Sequence, residues 1–218
     1  MKAEFWHERW ERAEIGFHKL EINAHLEQFW SRLDLGAGQR VFVPLCGKSL
    51  DMLWLAGEGH PVLGVELSPL AVESFFEENQ LSPRRFREGA YEVWEADEIR
   101  ILQGDFFDLE PHQVADCAGV YDRASLIALP PAMREGYIRH LGAILPSGIQ
   151  ILLVTVEYDQ AQRSGPPFSV GEAEVQALYE PAGEVDLLYT HDALAPDSAW
   201  RRQGLTWLEE KVYRVVLR

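Results

Sequence analysis

RVFVPLCGKSLDMLWLAGEGHPVLGVELS, residues 40–68, is the stretch from which the rest of the chain is read. Residues 40–45 form a nearly unbroken apolar run, as expected of a strand covered on both faces. Pro44 stands near the end of that run, where a missing N–H does least harm to a ladder. Gly47 lies alone in the turn that follows. Over 48–56, Leu50, Leu53, Trp54 and Ala56 recur on a helical period, Gly57 and Gly59 stop it, and 61–67 is a second strand carrying Glu66 near its end. Ser68 and Pro69 read as an N-cap and a proline at the first helical position, opening a helix over 69–80. A strand, a turn into a helix and a carboxylate about 20 residues further on is how nucleotide-binding α/β folds begin, because helix-end N–H groups suit anions and a carboxylate suits ribose hydroxyls.

Downstream the alternation continues. Residues 99–102 form a third strand that runs into the turn GDFFDL (104–109), with Asp105 just past the strand's carboxyl end; a polar, arginine-rich connection around Arg84, Arg85 and Arg87 precedes it. Residues 115–121 are a fourth strand, followed by Asp122 and Arg123. Pro130 and Pro131 open a helix with Met133, Tyr137, Ile138, Leu141 and Ile144 on one face, and 149–158 is the most apolar strand of all. After the loop DQAQRSGPPF, Ser169 and Glu172 read as a capping box opening a helix over 170–179. EVDLLYTH (184–191) and LTWLEEKVYRVVLR (205–218) close the chain as an antiparallel pair. Five β–α alternations followed by two strands predict a single α/β domain over 1–218, a doubly wound and mostly parallel sheet.

Upstream, the first thirty residues are rich in rings: Phe5, Trp6, Trp10, Phe17, Phe29 and Trp30. Trp6 and Trp10 are four apart and share a face if helical. That face either packs on the core or closes over a ligand as a flap, with Gly16 as the bend. Ile22, Leu26, Phe29, Trp30 and Leu33 mark an amphipathic helix over 21–34, so residues 1–36 form an N-terminal cover and helix.

Composition narrows the function. The 218 residues carry 35 acidic against 20 basic side chains, a formal charge of −15. Such a field repels nucleic-acid backbones and anionic membranes, so neither is an expected partner. No run of 18 apolar residues and no signal-peptide pattern is present, and a cytoplasmic location is expected. Cys46 and Cys117 make neither a disulfide framework nor a metal clip; they read as small buried residues, with a reactive thiol at Cys46 as the alternative. His7 and His18 lack the spacing of metal ligands, so no metal is expected.

The turn also limits the cofactor. A phosphate-cradling GxxxxGKS loop needs a glycine five residues before Gly47, where the chain has Phe42, and the dinucleotide fingerprint GxGxxG fails for want of glycines. S-adenosylmethionine has no phosphate, so one glycine suffices. Glu66 would accept from the ribose hydroxyls, and Asp105 lies where the adenine edge would fall. Three successive strand ends then face one ligand.

The segments FWHERWERAEIGFH, VFVPLCGKSLDMLWLA, GVELS, GDFFDL, YDRASLIALP and GPPF, in order over nearly the whole chain, resemble the thiopurine S-methyltransferase family. The resemblance implies a class I methyltransferase with a seven-stranded sheet and an N-terminal segment over the active site, using S-adenosylmethionine and releasing S-adenosylhomocysteine. It implies that Trp6 and Trp10 cover the cofactor and that Phe17 faces the substrate. Leu45 and Gly47 contact the methionine end, Glu66 the ribose, and Asp105 and Phe106 the adenine side. Arg123 stands beside substrate and transferred methyl, its alternative being an ion pair with Asp122 or another carboxylate, and Arg201 is the basic residue before the last strand. The implied substrate is a small thiol, such as a thiopurine, or a selenium or tellurium compound, and the expected state is a monomer. Halide, thiocyanate or metalloid oxyanion acceptors, and a non-catalytic adenosyl-ligand binder, are the competing readings.

Overall fold

The computed structural model describes residues 3–16 and 18–218. Its helices are α1 (Ala3–Glu11), α2 (Ala24–Phe29), α3 (Asp51–Gly57), α4 (Pro69–Glu78), α5 (Pro111–Val114), α6 (Pro131–Ile144), α7 (Glu172–Tyr179) and α8 (Ala199–Arg202). Its strands are β1 (Arg40–Val43), β2 (Val62–Glu66), β3 (Arg84–Glu88), β4 (Tyr91–Ala96), β5 (Ile99–Gln103), β6 (Cys117–Arg123), β7 (Gln150–Glu157), β8 (Gly183–Asp192) and β9 (Glu209–Leu217). They form one sheet in the order β3-β4-β5-β2-β1-β6-β7-β9-β8.

The sheet has nine strands where seven were expected. The five central strands, β5-β2-β1-β6-β7, pair in parallel. An antiparallel pair is added at each edge, so the sheet is mixed rather than mostly parallel. The extra hairpin β3–β4 lies where the arginine-rich segment reads as a polar connection. Its charges belong to an edge strand, where charge blocks unwanted pairing. Arg84 stands opposite Glu95 and bonds it at 2.7 Å, while the Arg85 guanidinium lies 3.4 Å from the centre of the Trp94 ring. Cross-strand partners thus offset the cost that a charged run presents to strand formation.

Period-two alternation sends successive β1 residues to opposite faces. Phe42 joins a core with α6 and α7 residues such as Tyr137 and Val175, while Val41 and Val43 join Leu26, Met52 and Phe75 from α2, α3 and α4. The helix expected over 21–34 is α2, N-capped by Asn23, followed by a 3-10 turn over Trp30–Leu33. Asp122 and Arg123 lie within β6 rather than after it.

Ser169 forms no capping box. Residues 168–170 run extended beside the end of β7, and the Ser169 hydroxyl accepts the Tyr158 N–H at 3.0 Å and donates to the Tyr158 carbonyl at 2.8 Å, leaving Gly171 as the N-cap of α7. A capping box does form at Glu110 and Gln113, opening α5. Because the chain winds from β1 to β2 on one side and from β6 to β7 on the other, a crevice opens at the carboxyl ends of β1 and β6, the switch point where open α/β sheets bind ligands.

Candidate active site

A cavity of about 770 Å³ occupies this crevice, within the ~300–1,000 Å³ range of small-molecule sites. Its floor is the turn after β1. Leu45 (φ 46°) and Gly47 (φ 54°) are both left-handed there, a conformation glycine adopts freely and leucine only under strain of order 1–3 kcal/mol. The turn is clamped from β2: Gly47 N–H donates to Glu66 Oε2 at 2.8 Å and Ser68 N–H donates to Glu66 Oε1 at 2.7 Å. Burial pushes the Glu66 carboxyl up, against the backbone N–H groups of Ser68, Gly47 and Leu67 that pull it down. A carboxylate offers about four lone-pair directions, so each oxygen keeps capacity for a further donor.

Cys46 is buried behind this turn, and burial together with the Glu66 charge pushes its thiol well up. Both disfavour the thiolate, in keeping with a small packed residue rather than a nucleophile.

At the next strand end, Gly104 N–H donates to the Glu66 carbonyl at 2.9 Å, and Tyr91 OH donates to the Asp105 carbonyl at 2.7 Å. The exposed Asp105 caps its own turn by accepting the Phe107 N–H at 2.9 Å. Phe106 touches the cavity, yet its ring is buried against Tyr137 at 4.9 Å and His140 at 5.1 Å; Phe107, 39% exposed, is the ring with free surface on that wall.

Arg123 enters the cavity from the end of β6, followed by Ala124 at φ 75°. The ion pair with Asp122 does not form: Asp122 points into the core, accepting Tyr137 OH at 2.7 Å and Leu126 N–H at 3.3 Å. Among the described residues Arg123 makes no hydrogen bond or ion pair, so its guanidinium is uncommitted.

Helix α1 lies beside the turn after β1. α1 buries none of its residues, so its tryptophans are not core packing; Trp6 and Trp10 line the cavity, and a β-carbon placed on Gly47 would lie 3.5 Å from the Trp10 ring. Phe17, expected at the substrate, falls outside the described residues. His18 lines the cavity beside Lys48, which is itself paired to Glu78 at 2.6 Å; burial first and the Lys48 charge second hold the imidazole below its ordinary value.

The acceptor side departs from expectation. Arg201 is exposed on α8, donates to the Leu194 carbonyl at 3.2 Å and does not line the cavity. The basic group there is Arg163, from the loop 159–168, stacked 4.4 Å over the Trp200 ring, and both residues line the cavity with Pro166 and Pro167. Glu210 of β9 also lines it, hydrogen-bonded to His25 Nε2 at 2.9 Å. Neither Arg163 nor Glu210 was singled out from sequence. Period-two alternation puts Glu210 on one face of β9 with Val212, Arg214 and Val216, so its face is readable while its partner is not.

Among the described residues no group of three or more His, Cys, Asp or Glu side chains is disposed to hold a metal ion, and no helix is long and apolar enough to cross a membrane.

A family model described as thiopurine S-methyltransferase matches residues 1–217. The chain is 53% identical over 215 residues to the thiopurine S-methyltransferase of Pseudomonas fluorescens (strain Pf0-1), covering 99% of each chain. It is 50% identical over 218 residues to that of Nitrosospira multiformis, covering 100% of this chain and 99% of the relative. Among solved structures it resembles Burkholderia thailandensis 1,6-didemethyltoxoflavin-N1-methyltransferase, TM-score 0.64 at 15% identity, over 99% of this chain and 86% of that one. It also resembles magnesium protoporphyrin IX methyltransferase of Synechocystis PCC 6803, TM-score 0.63 at 14% identity, over 99% and 97%.

Proposed function

The chain belongs to the thiopurine S-methyltransferase family, and we propose that its acceptors are small heteroaromatic thiols held against Arg123. It is an S-adenosylmethionine-dependent S-methyltransferase. The residues at the strand ends fit that cofactor: a single glycine in the first turn leaves room for an unphosphorylated ligand, the Glu66 oxygens keep acceptor capacity, and the lining is apolar and aromatic beyond them. Leu45 and Gly47 would hold the methionine end, Glu66 the ribose, Asp105 with the Phe106–Phe107 turn the adenine, and Trp6 and Trp10 would close over the donor. When bound, the cofactor supplies a methyl group on a cationic sulfonium. The chain itself positions the nucleophile, excludes water and stabilises charge, which is most of what an in-line displacement needs.

The observation that carries the acceptor reading is Arg123. An uncommitted guanidinium facing an apolar cavity attracts the electron-rich sulfur of a heteroaromatic thiol, as thiolate or as the polarised C=S of its thione form. The Trp200 ring with Arg163 stacked on it, and the flat faces of Pro166 and Pro167, suit a planar aromatic body. A halide or a metalloid oxyanion would use the charge and leave those faces wet.

Release of S-adenosylhomocysteine is measured with 6-mercaptopurine, selenite and iodide side by side. The heteroaromatic thiol is expected to be methylated fastest; faster turnover of iodide or selenite, or no transfer to the thiol, overturns the reading.

A further inference from the structure

Four carboxylates line the cavity. Glu66 holds backbone N–H groups on both oxygens, Asp105 caps its own turn, and Glu14 lies on the cover within 3.7 Å of Arg9. Glu210 differs. Its Oε2 accepts from His25 Nε2, and Oε1 has no partner among the described residues. A carboxylate only accepts, so Nε2 carries the imidazole hydrogen, and His25 Nδ1 is left as a buried atom with no partner. The side chains around Glu210 are His25 from α2, Arg123 from β6 and His191 from β8; the His25 bond and these charges hold its carboxyl below the ordinary range. Glu210 is therefore an ionised carboxylate, fixed through one oxygen and presenting the other.

Register places it opposite Arg123. On β7, Val154 pairs with Arg123 and Val156 pairs with Glu210. Residues two apart on a strand point the same way, so the guanidinium and the carboxylate rise from one face of the sheet; β6 and β9 are two strand spacings, about 10 Å, apart. The two opposite charges do not pair with each other. A cationic and an anionic group held apart over one cavity match a ligand that places negative charge at one atom and a hydrogen-bond donor at another.

Heteroaromatic thiols have that pattern in their thione form, a C=S beside a ring N–H. We infer that Glu210, oriented by His25, accepts the ring N–H of a heteroaromatic thione acceptor and takes its proton as the sulfur is methylated. The sulfur forms the new S–CH3 bond while the methyl–sulfonium bond of the donor breaks. The N–H electron pair stays on the ring nitrogen, and the proton moves to Glu210 Oε1. A cation and a carboxylate thus become a neutral sulfide, a neutral thioether and a carboxylic acid. A weak base suffices because sulfur alkylation puts positive charge on the ring and acidifies the N–H during the step. His25 is a positioning residue; Glu210 is the catalytic one.

This rests on the thiol-acceptor reading, and the test separates the two. Wild type, Glu210→Gln, Glu210→Asp and His25→Phe are assayed with pyridine-2-thione, which carries the ring N–H, and with thiophenol, which lacks it; S-adenosylhomocysteine affinity and thermal unfolding serve as controls for folding. Glu210→Gln is expected to lower kcat for pyridine-2-thione by about 10²-fold or more, in the range of general acid–base catalysis, and to lower kcat for thiophenol by a factor at least ~10 times smaller. Glu210→Asp should retain part of the thione activity, and His25→Phe should lower kcat on the thione more than it raises KM. Equal losses on both acceptors, or no loss on the thione, overturn the inference. Wild-type turnover of thiophenol alone overturns it while thiol methylation stands, and turnover of neither acceptor overturns both.

Discussion

Replacing Glu66 by glutamine tests the clamp on which the donor site is built. Each Glu66 oxygen accepts one backbone N–H, Gly47 at 2.8 Å and Ser68 at 2.7 Å. Glutamine offers one acceptor oxygen and one NH2 group, so one of those buried N–H groups would face another donor at hydrogen-bond distance. Leaving a buried donor unsatisfied costs about 1–3 kcal/mol. The neutral side chain also removes the desolvation penalty that pushes the carboxyl up, which offsets part of that cost, so the net loss should fall in the lower half of the range. At ~2–4 °C per kcal/mol for a chain of this size, the ligand-free protein should melt roughly 2–8 °C lower. Affinity should fall as well. Hydrogen bonds to a charged acceptor are worth about 1.5–3 kcal/mol against 0.5–1.5 for a neutral one, so losing the charge at the ribose weakens S-adenosylhomocysteine by about 1–2 kcal/mol, or ~5–30-fold. Differential scanning calorimetry of the free protein and isothermal titration with S-adenosylhomocysteine measure the two effects. An unchanged melting temperature together with unchanged affinity refutes both the clamp and the ribose assignment.

Arg123→Ala should lower turnover of a thiol acceptor by at least tenfold, the ~1.4 kcal/mol expected for one lost charged contact, while leaving S-adenosylhomocysteine affinity within about twofold; unchanged kcat removes Arg123 from the chemistry. If Trp10 meets the sulfonium, Trp10→Ala should weaken the cationic donor more than the neutral product by about 0.5–2 kcal/mol, and titrations showing equal losses for the two ligands refute the cation–π contact. A β-carbon at Gly104 would lie 2.6 Å from Tyr91 Cδ1, and the Tyr91 hydroxyl holds the Asp105 carbonyl; Gly104→Ala should therefore cost about 1–3 kcal/mol in denaturant unfolding and weaken cofactor binding together, and a stable variant with full affinity refutes that coupling. His18 is held below its ordinary value of 6.5, so as pH falls the unfolded segment takes up a proton first. The contribution of neutral His18 is whole above about 6.5 and is lost as pH falls through the folded value. Limited proteolysis of residues 3–20 should accelerate over that window in wild type and not in His18→Asn, and identical pH dependence refutes the link.

The donor half of the site was readable because its residues sit at ends of regular elements. The apolar run to Leu45, the helical period after Gly47 and the N-cap at Ser68 locate strand ends to within a residue or two, and the carboxyl-end rule then brings Glu66 and Asp105 to one ligand. Errors on that side came from local chemistry with two solutions. Three arginines in five residues satisfy a solvated loop or a charged edge strand equally well, and only the partners Glu95 and Trp94 decide for the strand. Ser169 and Glu172 have capping-box spacing, but the hydroxyl was taken by the Tyr158 backbone first.

The acceptor half is built differently. Arg163 and Trp200 come from segments of the chain without strand or helix periodicity, and they meet because a proline-rich loop and a one-turn helix fold onto each other over the sheet end. Counting back from the last strand therefore lands on Arg201, one residue from Trp200 and on the outer side of α8. Glu210 lies between these cases. Its strand and its face follow from alternation; His25, the partner 185 residues away, does not. A half-buried carboxylate is held charged by a partner. The imidazole from α2 supplies it through one oxygen, so a carboxylate to which alternation alone gives no role becomes, once its partner is known, a fixed anion lining the cavity.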